Sequence, residues 1–142
     1  MQRILFLCVH NSARSQMAEG FAKRRLRGRA GVEVYSAGCD PRGVNPLAGR
    51  AMAERGLDLS GHTSKHLRDV PAPTLVVSLC AESEAACPVF PAGVKVEHWN
   101  LPDPSSAEGP DEEKMRVFRA VRDEIERRVE ALAARLDAGE VQ

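Results

Sequence analysis

The sequence predicts an α/β fold: one domain over residues 1–142, with a four-stranded parallel sheet flanked by helices on both faces. Three observations carry that prediction. Short apolar runs alternate with amphipathic stretches along the chain. Two of the runs, ILFLCV (4–9) and TLVVSLC (74–80), are continuous, as strands buried on both faces read. The chain has 142 residues, enough to bury one hydrophobic core.

ILFLCV is the first strand. Residues 14–27 place Met17, Phe21 and Leu26 among charged residues and stop near Gly28, the pattern of an amphipathic helix. VEVYSAG (32–38) alternates as a second strand and ends on glycine. NPLAGRAMAERG (45–56) has proline just inside its start and glycine at its end, the expected helix punctuation. TLVVSLC is the third strand, AESEAA (81–86) a short helix, and VKVEHWN (94–100) the fourth strand. The last segment carries Phe118, Val121, Ile125, Val129, Leu132 and Leu136 at spacings of 3, 4, 4, 3 and 4, one apolar stripe down a long helix. In such sheets ligands bind beyond the carboxyl ends of the strands, so Cys8, Cys80 and the 101–110 loop are expected on one rim.

Twenty basic and twenty acidic residues cancel, which gives no global pull toward nucleic acid or an anionic membrane. No apolar run approaches the ~20 residues that span a bilayer. The N-terminus reads as a strand and not a leader peptide, so a cytoplasmic location is expected. Four cysteines in that compartment point to catalysis or metal binding before structural disulfides. The cysteines lack zinc spacing, and His10, His62, His66 and His98 form no ligand pattern, so no metal site is expected.

The stretch CVHNSARSQMAEGF (8–21) concentrates the chemistry. A turn that leads into a helix N-terminus aims several unpaired backbone N–H groups at one spot, and the helix dipole adds positive potential there. Arg14 can offer two parallel donors to a tetrahedral oxyanion. His10, Asn11, Ser12, Ala13, Arg14 and Ser15 form the candidate oxyanion loop, and small polar residues tolerate its turn geometry. A cysteine in this setting is expected to react as a thiolate. The plainer alternative is that Cys8 is a small core residue at a strand end.

These residues resemble the signature of the low-molecular-weight tyrosine phosphatase fold, a loop of cysteine, five residues, arginine and serine. NSARSQMAEG, VYSAG, the Asn45–Pro46 helix start, the Cys80 and Cys87 pair, EHWN and LPDP resemble, more narrowly, thioredoxin-coupled arsenate reductases. That resemblance implies that Cys8 attacks arsenate held by Arg14 and the loop, with phosphate or sulfate as analogues. Cys80 then attacks the Cys8 sulfur and releases arsenite, and Cys87 attacks Cys80. Thioredoxin reduces the final Cys80–Cys87 disulfide, and the protein acts as a monomer. No GxGxxG marks a nucleotide site, so no tightly bound cofactor is expected. On a helix, residues seven apart lie ~10.5 Å apart along the axis, whereas a disulfide needs Cα atoms within ~7 Å. A helical 81–86 would therefore have to unwind for Cys80 and Cys87 to join. Cys39 matches none of these roles.

Asp103 sits in the proline-bounded loop LPDPSSAEGP, where it serves as an ordinary turn residue or, as the resemblance implies, as the proton donor to the leaving oxygen. Potassium-dependent relatives hold the ion with asparagine, glutamate, serine and aspartate. Asn11, Glu19 and Ser36 match three of these, but Lys65 stands where aspartate is expected. An ammonium there opposes a second cation, so a potassium site is doubtful; the alternative is a solvated surface lysine. Ala13 replaces a further loop cysteine of some relatives. The enzymatic rival is a phosphatase that uses Cys8, Arg14 and Asp103 alone. Ser105 and Ser106 follow the Asp–Pro pair where such enzymes grip a phenyl ring, which disfavours phosphotyrosine but leaves weak activity on small aryl phosphates expected. A non-catalytic thiol sensor and electron supply from glutaredoxin are further alternatives.

Overall fold

In the computed structural model, which describes residues 1–80 and 90–139, the apolar runs form a four-stranded parallel sheet. The strands are β1 (Gln2–Leu7), β2 (Val32–Ala37), β3 (Leu75–Ser78) and β4 (Lys95–His98), in spatial order β2-β1-β3-β4. β1 pairs with both β2 and β3, with Leu7 opposite Ala37 on one side and Ser78 on the other. That central place explains its continuous apolar sequence. Ile4 and Phe6 enter the larger core, while Leu5 and Leu7 face the opposite side of the sheet.

The larger core is closed by α1 (Arg14–Arg25), α2 (Pro46–Ala53) and α3 (Asp111–Asp137). Met17, Phe21, Met52, Phe118, Ile125 and Val129 are buried there against Ile4, Phe6, Leu75 and Val77. The predicted stripe of α3 is buried from Phe118 to Leu136, and three acidic residues open the helix, complementing its dipole. Asn45 caps α2 by accepting a hydrogen bond from Leu47 N at 2.8 Å. Gly20 lies where α1 meets α2: a Cβ there would stand 2.9 Å from Met52 Cε. On the sheet's other face the 3-10 turn Leu67–Asp69 and the segment around Phe90 and Val94 cover Leu5, Leu7 and Val76. The helix expected over 81–86, and Cys87 with it, lies outside the described residues. Among the described residues no helix is long and apolar enough to cross a membrane.

β1 ends at Leu7, two residues before the apolar run does. Cys8 still donates its N–H to Ala37 O at 3.3 Å, and the chain then turns sharply. Gly38 at the end of β2 is what lets it turn. A Cβ at 38 would sit 2.5 Å from Cys8 O and 2.9 Å from Asn11 N, and would also meet Val9 O.

Candidate active site

The 8–15 loop joins the end of β1 to the start of α1, so a thiol and a helix N-terminus meet over a few residues. Ala13 at the helix N-cap offers no side-chain hydrogen bond, and the first turn of α1 carries no acidic residue. The leading N–H groups are thus left to an anion. Asn11 adopts the left-handed region at φ 46°, a conformation asparagine tolerates better than most residues.

Beneath the loop, Asn11 Nδ2 donates to Ser15 Oγ at 2.8 Å, and Ser15 Oγ lies 3.0 Å from Cys8 Sγ. Asn11 takes one lone pair of the hydroxyl, and the serine proton is then available to the sulfur. Arg14 is nearly buried; its Nη1 donates to Leu101 O at 2.7 Å and its Nη2 lies 3.7 Å from Asp103 Oδ2. Asp103 Oδ1 accepts from Ser105 N at 2.9 Å and Ser105 Oγ at 2.7 Å, capping the 3-10 turn Pro104–Ser106. Asp103 therefore fills the turn role and faces the arginine as well.

A small pocket opens between these groups, lined by Cys8, His10, Ser12, Ala13, Arg14, Asp103 and Ser105. Cys80 follows the end of β3, is fully buried and shares the larger core cluster with Cys8. Leu79 N donates to Leu7 O at 2.8 Å, so the two cysteines leave neighbouring strands at one level of the sheet. Cys8 is a thiol. Cys39, also a thiol, packs on the opposite face of the sheet beside Leu5, Leu7 and Val76. Of the predicted site residues, Cys87 is the one outside the described residues.

Residues 3–142 match the family model of the low molecular weight phosphotyrosine protein phosphatase. The chain belongs to this family. Among its relatives is a protein of Shouchella clausii (strain KSM-K16) described as an arsenate reductase, 48% identical over 132 residues, 92% of this chain and 94% of that one. A solved structure described as an arsenate reductase in the phosphate binding state is similar at TM-score 0.76 and 37% identity, covering 95% of this chain and 98% of the other. A thioredoxin-dependent arsenate reductase from Corynebacterium glutamicum is similar at TM-score 0.74 and 27% identity, covering 98% of this chain and 63% of its own.

This member of the phosphatase family carries a polar support under its loop that the sequence did not announce. Gln16 Nε2 donates to Asn11 O at 3.1 Å, to Asn11 Oδ1 at 3.0 Å and to Thr63 O at 3.0 Å. The backbone N–H of Lys65 donates to Asn11 Oδ1 at 2.8 Å. Ser64 Oγ lies 3.0 Å from His10 O and 2.9 Å from Asn11 O. Gln16 directly follows the motif, but its partner Thr63 is 47 residues away in sequence, and no spacing rule points to it.

Next to this support lies a buried carboxylate. Glu19 accepts from Ser36 Oγ at 2.6 Å and pairs with Lys23 at 2.7 Å, His62 at 3.4 Å and Lys65 at 3.9 Å. Burial alone would raise its pKa. Hydrogen bonds from His62, Lys23 and Ser36 and the Lys65 charge outweigh burial and hold it at about 2. Burial pushes the Lys65 ammonium below its ordinary range, with Lys23 adding to this and Glu19 opposing it. Asn11, Glu19 and Ser36, the three residues that match the potassium ligands of relatives, are already engaged within the protein: Lys65 N–H donates to Asn11, and Ser36 Oγ donates to Glu19. The Lys65 ammonium, which also donates to Thr63 O at 2.8 Å, stands beside them. The Glu19 charge is thus answered from within, by Lys23 and Lys65.

Proposed function

We propose that this protein reduces arsenate to arsenite through Cys8, Cys80 and Cys87, with electrons from thioredoxin. The observation that carries the reading is the placement of two buried thiols, Cys8 and Cys80, at adjoining strand ends, one of them beneath Arg14 and an open helix N-terminus. Arsenate enters the 10–15 loop, where phosphate or sulfate would compete. Cys8 sulfur bonds to arsenic, and an oxygen leaves as water with a proton from Asp103. Cys80 thiolate then attacks Cys8 sulfur. The sulfur–arsenic bond breaks, its electron pair stays on arsenic, and As(V) becomes As(III) as the two sulfurs are oxidised to a disulfide. Cys87 attacks Cys80 and frees Cys8, and thioredoxin reduces the Cys80–Cys87 bond.

The deciding experiment follows NADPH consumption with thioredoxin, thioredoxin reductase and arsenate. Wild type is expected to turn over, and Cys8→Ser, Cys80→Ser and Cys87→Ser to stop. Arsenate-independent behaviour, with aryl phosphate cleaved equally by wild type and by the Cys80 and Cys87 variants, would overturn the relay. That outcome is the second reading, a phosphatase, favoured by the Arg14–Asp103 pair across the pocket. Slow aryl phosphate hydrolysis is expected as a side activity even in the reductase, because the cradle is shared. The working protein is a cytoplasmic monomer that needs no potassium, since Lys65 supplies the charge the ion would bring.

A further inference from the structure

We propose that His10 is a second proton-transfer residue of this pocket, protonating arsenite as it departs; the proposal rests on the reductase reading. Proton balance creates the need. Two thiolates and dihydrogen arsenate become a disulfide, arsenious acid and water only by taking up three protons in all. Arsenious acid is a weak acid that is fully protonated in neutral water, so the step that expels arsenite must deliver at least one of its protons. Asp103 can give one proton when the first oxygen leaves. Among the described residues lining the pocket, His10 is the remaining side chain suited to act as a general acid.

The geometry fixes which nitrogen does this. His10 Nδ1 lies 3.1 Å from Asp40 O, and a carbonyl only accepts, so Nδ1 holds its hydrogen and donates it. Asp40 Oδ2 lies 3.5 Å from the same nitrogen and 2.9 Å from Arg42 Nη2, so the ring's Nδ1 edge is held by Asp40. Nε2 is left for the pocket. The ring is anchored from below as well, because His10 O accepts from Arg42 N at 3.1 Å and lies against Ser64 Oγ. The charged or titratable groups around it are Asp40 and Arg42 on one side and Cys8, Arg14 and Asp103 across the pocket.

In the step itself, Cys80 thiolate bonds to Cys8 sulfur and the sulfur–arsenic bond breaks with its electron pair on arsenic. The His10 Nε2 proton passes to an arsenic oxygen, so the product leaves as the singly charged dihydrogen arsenite, which takes its last proton from water. Neutral imidazole is recharged from solvent, to which the half-exposed ring is open.

Single-turnover reactions with arsenate test this, run on wild type, His10→Gln, His10→Asn and Asp103→Asn. Adduct formation at Cys8 and arsenite release are followed separately across pH. Both His10 variants are expected to form the adduct within about twofold of the wild-type rate and to release arsenite at least about tenfold more slowly. The pH dependence of release should flatten, and Asp103→Asn should slow the adduct step instead. Release at the wild-type rate and with the wild-type pH profile would overturn the proposal. In parallel, 15N-histidine spectra of wild type with inorganic phosphate should show Nδ1 protonated and the Nε2 signal shifting on binding. An unmoved Nε2 signal would overturn the role whatever arsenate does. If wild type releases no arsenite, the reductase reading fails, and the spectra still decide whether His10 handles the bound oxyanion.

Discussion

Asn11 Nδ2 donates to Ser15 Oγ at 2.8 Å, and this contact sets the direction of the serine hydroxyl that lies 3.0 Å from Cys8 Sγ. Ser15→Ala should remove the donor to sulfur without opening a hole larger than one oxygen. A hydrogen bond to a charged group is worth about 1.5–3 kcal/mol, so kcat/KM for arsenate should fall about ten- to hundredfold, with a small drop in melting temperature because the buried Asn11 amide loses its acceptor. Steady-state kinetics beside a thermal melt checks this; a variant that is slow because it is unfolded would fail the second measurement.

Asn11→Ala should do more. It removes the amide that orients the serine hydroxyl, leaves the Lys65 N–H without its acceptor and Gln16 short of one of three, and puts a residue with no local hydrogen bond at φ 46°. Activity is expected to drop, and melting temperature to drop further than in Ser15→Ala, which separates the two.

Glu19 gives the stability a defined acid limb. Its carboxyl is held at about 2, below the ordinary value of 4.5, so the unfolded chain binds the proton first as pH falls. The contribution is therefore complete above about pH 4.5 and is lost as pH drops toward 2, on the order of 3 kcal/mol in all. Urea unfolding of Glu19→Gln should show lower stability at pH 7 and a flatter dependence between pH 2 and 4.5 than wild type. Parallel curves would mean that the His62, Lys23 and Ser36 contacts add nothing net.

Lys65 bears on ions. Wild-type rates should be equal in potassium chloride and in tetramethylammonium chloride. Lys65→Ala leaves Glu19 short of one positive neighbour, and this variant should become at least about threefold faster in potassium than in the bulky cation. Strong potassium activation of wild type would contradict the assignment.

Gly38→Ala tests how tightly the loop is seated. Its new Cβ would press on Cys8 O and Asn11 N, both backbone atoms with little room to move. A loss of about 1–3 kcal/mol is expected, together with weaker phosphate binding, measured by denaturation and calorimetry.

The frame of the molecule was legible in the sequence because its signals are local. The runs at 4–9 and 74–80, the α3 stripe and the Asn45–Pro46 start depend on neighbours a few residues away, and each produced its element. The ends were less legible. β1 stops at Leu7 because Gly38 admits the turning chain beneath it, and that close approach comes from 30 residues downstream. The pocket residues Cys8 and Arg14 were found through motif chemistry, and Asp103 through the family resemblance. Gln16, His62 and Ser64 were not, since a buried glutamine or histidine looks like any surface residue until the 62–65 segment folds over it. α1 shows the same limit: Ser15, Gln16 and Glu19 are as buried as Met17 and Phe21, because the helix is enclosed on a polar side as well as an apolar one.

The bare start of α1 makes the substrate a missing piece of the scaffold. Ala13 cannot quiet the leading amides, and no acidic side chain answers them, so the folded chain gains whenever any tetrahedral anion settles there. A cell rich in phosphate would keep this protein steadied and partly occupied at once. Resistance to heat and readiness for arsenate would then pull in opposite directions: the anion that props up the helix is the one each catalytic cycle has to displace.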